Sequence, residues 1–140
     1  MSGFTGRPQT LAEAVARTNA GEDFQLMFPE FLDNFYSDIH AHDTTTALSR
    51  ITDEPNPTTD TERHAFIGGV GEHLARRWKL PAIPEWTNHA SRFLHKPYIG
   101  AATKAMRATL IVQSPLAFRR RLTFIESEPL RRARMPRKAA

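Results

Sequence analysis

Over residues 22–39 the apolar side chains Phe24, Met27, Phe28, Phe31, Leu32, Phe35 and Ile39 recur at steps of three and four. That spacing lines them along one side of an α-helix and suits a core, or, if the N-terminal half is separable, an acidic amphipathic helix that docks on a partner. In a core, such a stripe must be covered by other elements of the chain. Glu22 and Asp23 suit the positive end of the helix dipole, so the helix is expected to open there. Pro29 lacks an N–H and predicts a kink, or a division into two pieces. Upstream, Thr10-Leu11-Ala12-Glu13 reads as a capping box that opens a first helix, with Leu11, Ala14 and Val15 on one face and Gly21 as its stop. Downstream, Thr59-Asp60-Thr61-Glu62 reads as a second capping box. It opens the strongest helix, over about 60–79, whose stripe is Phe66, Ile67, Val70, Leu74 and Trp78, with Glu72 and Arg76 paired at i,i+4.

Between these helices the segment 43–60 holds six threonines, two prolines and four acidic residues, and reads as a linker with room for a helical turn or two. Leu80-Pro81-Ala82-Ile83-Pro84-Glu85-Trp86 predicts a polyproline-like arm. Thr87 or Asn88 is expected to cap a short helix through Phe93 and Leu94. Residues 100–113 keep helical spacing, although Leu110-Ile111-Val112 also suits a buried strand. Ser114-Pro115 starts a short helix carrying Phe118 and Arg119-Arg120-Arg121, and Leu122-Thr123-Phe124-Ile125 is extended. Ser127-Glu128-Pro129 caps a last turn or two. The expectation is a mainly α-helical, compact domain of five to seven short helices, with proline-rich connections and one short extended segment. Its organisation reads as a flexible leader (1–9), an acidic helical segment (10–42), the linker (43–60), a basic helical domain (61–134) and a mobile basic tail (135–140).

Charge divides at the linker. The net charge of +4 conceals residues 1–60, with three basic against ten acidic side chains (−7), and residues 61–140, with sixteen against five (+11). Residues 119–138 alone carry seven arginines and one lysine against two glutamates. Guanidinium groups bind phosphates and carboxylates in pairs and stack on planar rings, so this region suits a nucleic acid or an acidic protein face. The plain alternative is a solvated face partly neutralised by the acidic half. Arg76, Arg77 and Lys79 are accounted for by a helix C-terminus.

Other chemistry is thinner. With no cysteine, disulfides and thiolate chemistry are excluded, which fits a cytoplasmic protein. No apolar run reaches the roughly 18 residues of a membrane span, so no membrane association is expected. His40-Ala41-His42-Asp43 splays its imidazoles at a helix end, and His64 and His73 lie nine apart, so neither matches a zinc spacing. Gly68, Gly69 and Gly71 lie within a helical pattern, where close helix packing explains them better than phosphate binding. No serine sits in a nucleophile elbow. An enzyme using His40, His42 or His73 is therefore the distant reading, and no catalytic residue, cofactor or metal is expected.

The order Glu72-His73-Leu74-Ala75-Arg76-Arg77, then Pro84-Glu85-Trp86-Thr87, Ser91-Arg92-Phe93-Leu94 and Ser114-Pro115-Leu116-Ala117-Phe118-Arg119-Arg120-Arg121, resembles a group of small bacterial, often actinobacterial, proteins. These are antitoxin-like or regulatory proteins encoded beside nucleotidyltransferase-like toxins. The resemblance covers about residues 60–134 and implies a protein that binds a cognate partner. The partner-binding candidates are Arg119, Arg120, Arg121, Arg131, Arg132 and Arg134, with Trp86 and Phe118 as apolar anchors. The alternative is a nucleic-acid-binding regulator that places the same arginines on phosphates.

Overall fold

The computed structural model describes residues 6–100, 103–126, 128–133 and 135–136. It is mainly helical. Among the described residues there are six α-helices: α1 (Leu11–Asn19), α2 (Phe24–His40), α3 (Thr44–Thr52), α4 (Thr61–Arg77), α5 (Lys104–Gln113) and α6 (Leu116–Arg119). Two 3-10 turns (Glu85–Asn88 and Ala90–Arg92) follow α4. Two short strands, β1 (Tyr98–Ile99) and β2 (Thr123–Phe124), pair in parallel with Tyr98 opposite Thr123. No helix among the described residues is long and apolar enough to cross a membrane.

The caps explain the helix starts. Thr10 Oγ1 accepts from Glu13 N at 3.0 Å, and the Glu13 carboxylate accepts from Gln9 N at 3.2 Å, so the box closes one residue earlier than expected. At α4 the cap is Asp60 rather than Thr59, its Oδ1 accepting from both Glu62 N and Arg63 N. One carboxylate oxygen thereby satisfies two orphan donors, which a hydroxyl three residues from Glu62 would not.

Helix α2 is unbroken across Pro29. The aromatic rings on either side of the proline pack continuously, Phe24 stacking on Phe28 at 5.2 Å and Phe28 on Phe31 at 6.2 Å, so packing holds together what the missing hydrogen bond weakens. The segment read as a linker contains α3, opened by Asp43, which accepts from Thr46 N at 3.0 Å and from Thr46 Oγ1 at 2.6 Å. Ala47 and Ile51 enter the core, and Arg50 ties α3 to Asp38 of α2. After α4 the short helix expected to Leu94 is replaced by the two 3-10 turns. Leu110-Ile111-Val112 is helical and unburied, which removes the strand reading.

The core runs from Leu11 in α1 through the stripe of α2, Ile51, and Ile67, Val70 and Leu74 of α4, to Trp86, Phe118 and Leu130. Thus the acidic and basic parts of the chain share one apolar interior. Of the expected leader, Pro8 is buried and its carbonyl accepts from Asn34, while residues 1–5 lie outside the described residues. Of the expected tail, Met135 packs on the core, and residues 137–140 lie outside the described residues, as does Ser127 of the expected last cap.

Candidate functional site

Helix α4 is the axis of the basic region, and its glycines decide what approaches it. A Cβ at Gly68 would lie 2.9 Å from Arg92 Cβ and 3.0 Å from Arg121 Nε. One at Gly69 would lie 2.5 Å from the Phe118 ring, and one at Gly71 would lie 2.8 Å from Thr87 and 2.9 Å from the Trp86 indole. Bare backbone is required for these side chains to lie against the helix. The reading of the glycines as packing positions follows from these distances.

Glu72 stands in that packed zone, 1% exposed, and three arginines converge on it. Arg121 Nη1 donates to Oε1 at 2.6 Å, while Arg76 Nε and Arg120 Nη1 donate to Oε2 at 2.7 and 2.9 Å. Burial pushes the Glu72 carboxyl up, but the hydrogen bonds from Arg121 and Arg76 and the charges of Arg121 and Arg120 outweigh it and hold the group below its ordinary value. Arg121 is itself fully buried and donates further to the carbonyls of Ala117 and Thr87, with its guanidinium 4.4 Å from the Phe93 ring centre. Desolvation lowers its affinity for the proton, and the bond to Glu72 works against that.

A second buried cation, Arg92, donates to the carbonyls of Pro55 and His64 and lies 4.9 Å over Trp86. Its Nη1 is also 3.3 Å from His64 Nδ1, and His64 Nε2 is 3.1 Å from Ser91 Oγ. The serine–histidine pair invites a nucleophile-and-base reading, but arginine has only donors. Nδ1 therefore accepts, Nε2 carries the proton and donates to Ser91 Oγ, and the imidazole has no lone pair directed at the hydroxyl.

The structure separates the residues that the arginine run had grouped. Arg121 belongs to the interior, and Arg120 is held by Glu72 and by Asn88. Arg119 is exposed and donates to the Val112 and Ser114 carbonyls at 2.9 Å. Arg131 is exposed and pairs with Glu126 at 3.2 Å. Arg132 makes a bidentate pair with Asp33 of α2, both bonds at 3.0 Å, so part of the acidic half does answer the basic half. Arg134 lies outside the described residues. Trp86 and Phe118 are not surface anchors: Trp86 is 5% exposed and donates to Ile51 O, and Phe118 is fully buried between Phe66 and His73. Among the histidines, His40 and His42 are exposed at the end of α2, and His73 is buried against Phe118. No group of three or more metal-ligating side chains occurs among the described residues.

The surface charge that the arginine run concealed lies just before it. From Trp86 to Ile125 the sequence has no Asp or Glu, yet it holds seven Lys and Arg. Arg92, Arg120 and Arg121 are spent on Glu54 and Glu72. Lys96, Lys104, Arg107 and Arg119 are exposed and have no carboxylate within ion-pair distance among the described residues. Arg119 was among the clustered arginines, and a search for carboxylate-free stretches would also have found Lys96, Lys104 and Arg107. No known protein family, curated protein or solved structure matches the chain.

Proposed function

We propose that the chain is a partner-binding module of the antitoxin-like kind, docking a cognate protein through an exposed basic surface of its C-terminal half. The observation that carries the reading is the carboxylate-free stretch of residues 86–125, which leaves Lys96, Lys104, Arg107 and Arg119 exposed without an acidic partner among the described residues. Unpaired cations on a rigid surface attract an acidic face and speed its capture. The arginines first expected to dock have other uses: Arg121 is structural and Arg132 is paired with Asp33, while Arg119 and Arg131 stay on the accessible side. The same surplus suits phosphates, so a nucleic-acid-binding regulator is the competing reading.

Co-expression with the products of adjacent genes, followed by purification at physiological salt, tests the proposal. A stable complex that is lost when Lys96, Lys104 and Arg107 are changed together to Glu is the expected result. These side chains are exposed, so the variant should keep its thermal transition. Absence of any complex, together with duplex DNA binding whose affinity falls linearly with salt on logarithmic axes, would transfer the assignment to the nucleic-acid reading.

A further inference from the structure

Helix α5 is ten residues long, and none of them is buried. An isolated helix shorter than about 12–15 residues is marginal in water, and packing of an apolar face supplies what propensity does not. Here the cap is in place, Thr103 accepting from Met106 N at 3.2 Å, and Ser114 fastens the far end, its hydroxyl donating to Leu110 O at 2.6 Å and accepting from Ile125 N at 2.8 Å. Among the described residues, no face of the helix is packed against the core. Of the seven large apolar residues that the described part of the chain leaves exposed, three belong to this helix, Met106, Ile111 and Val112, with Val112 at 74%, and a fourth, Leu116, opens α6 just after it. Beneath the helix, Met106 and Leu110 border a hollow of about 340 Å³ shared with Phe66, Ile125 and Pro129. The body therefore leaves space under α5 as well as apolar surface on it.

We infer that α5 is the docking element of the basic surface, and that its occupant is an acidic amphipathic helix of a partner protein. The inference rests on the partner-binding reading above and names the chemistry of that partner. Position along the helix selects this occupant. Lys104 and Arg107 precede Ile111 by seven and four residues, so at 3.6 residues per turn all three lie in one row, with Ala108 beside it and Val112 about a quarter turn further round. Cations and aliphatics are thus interleaved on one face. A partner helix that alternates carboxylates with Leu or Ile satisfies both kinds of group at once.

The other occupants fit less well. A second copy of α5 would bring like charges together along the same row. Phosphates would engage the cations and leave the aliphatic side chains wet. A bilayer would draw Lys104 and Arg107 down with Ile111, because the cations are not set on an opposite face.

The test uses the full chain and a fluorescein-labelled peptide with Leu at i, i+3, i+4 and i+7 and Glu between. A scrambled peptide of the same composition, duplex DNA and phosphatidylserine vesicles serve as the other probes. Fluorescence anisotropy should show the ordered peptide binding at least about tenfold more tightly than the scrambled one. Ile111→Glu and Val112→Glu should each cost about tenfold with an unchanged thermal transition. Equal binding of the two peptides, or of neither, overturns the inference. So does tighter binding to DNA or vesicles, or self-association in sedimentation that Ile111→Glu abolishes. The two readings also fail separately. If charge reversal destroys the complex with a neighbouring gene product and Ile111→Glu does not, the basic surface stands and α5 as the docking helix falls. If neither substitution matters, both fall.

Discussion

His73 shows how one buried side chain turns pH into stability. It is 8% exposed, and its ring lies 5.5 Å from Phe118. Burial lowers its pKa to about 4; Arg77 pushes the same way, against the pull of Glu128 and Glu72. In the unfolded chain an ordinary histidine titrates near 6.5. Between those values the unfolded state takes up a proton that the folded state refuses, so stability is fully present above about pH 6.5 and is lost as pH falls toward 4. The expected loss is about 3 kcal/mol. His64, also lowered by burial and by Arg92, adds a loss of the same sign. Urea unfolding at a series of pH values should therefore give a shallower acid slope for His73→Leu than for the parent. Parallel slopes would show that His73 is protonated without penalty. Residue by residue, this layer was only partly legible. By its spacing the histidine reads as solvated or capping, and the structure buries it instead. Nothing local marks Arg121 as interior and Arg119, two residues earlier, as exposed. The one available sign was Glu72 itself, a carboxylate among glycines and apolar residues that must find a cation if it is buried.

At the level of elements, periodicity and caps located α1, α2 and α4, because each builds its own stripe and its own N-terminal acceptor. The elements misjudged are those shaped by tertiary contact. Helix α3 is threonine-rich and becomes helical because Asp43 caps it and Ala47 and Ile51 find the core. The 3-10 turns after α4 follow the demands of Trp86 and Thr87 against Gly71. Glycine in mid-helix normally costs roughly 1 kcal/mol relative to alanine, so Gly69→Ala would stabilise α4 if it stood alone. In the folded protein the added methyl meets the Phe118 ring at 2.5 Å, and Phe118 is fully enclosed and cannot swing away. Overpacking of this kind costs about 1–3 kcal/mol. Gly69→Ala should accordingly lower the urea midpoint. Phe118→Leu introduced with it should recover part of the loss, giving a favourable coupling in a double-mutant cycle. An additive pair would show that the close approach is not what selects glycine.

Across the whole molecule, the division of charge at residue 60 suggests two units that could separate, an acidic helical part and a basic one. The packing argues otherwise. Phe28 of α2 meets Phe66 of α4 edge-on at 5.7 Å, and Tyr36 meets Trp78 at 5.8 Å. Trp86 donates to Ile51 O at 3.0 Å, and Tyr36 Oη donates to Leu130 O at 2.7 Å across ninety-four residues of sequence. Arg132 closes the same circuit on Asp33, and Leu130, 3% exposed, is buried in the common core. Neither half retains a closed apolar interior once the other is removed: the α2 stripe loses Phe66 and Trp78, and α4 loses the phenylalanines that cover it. Calorimetry should therefore give one transition, with calorimetric and van't Hoff enthalpies equal. Leu130→Ala, near the far end of the described chain, should shift that single transition downward by about 2–5 kcal/mol of stability without splitting it. Fragments 1–60 and 61–140 expressed apart should lack cooperative unfolding, and mixing them should restore it. Two transitions, or a cooperatively folding fragment 61–140, would mean that the change of charge sign is also a structural boundary. In that case Arg132 and Leu130 would bridge two bodies rather than belong to one.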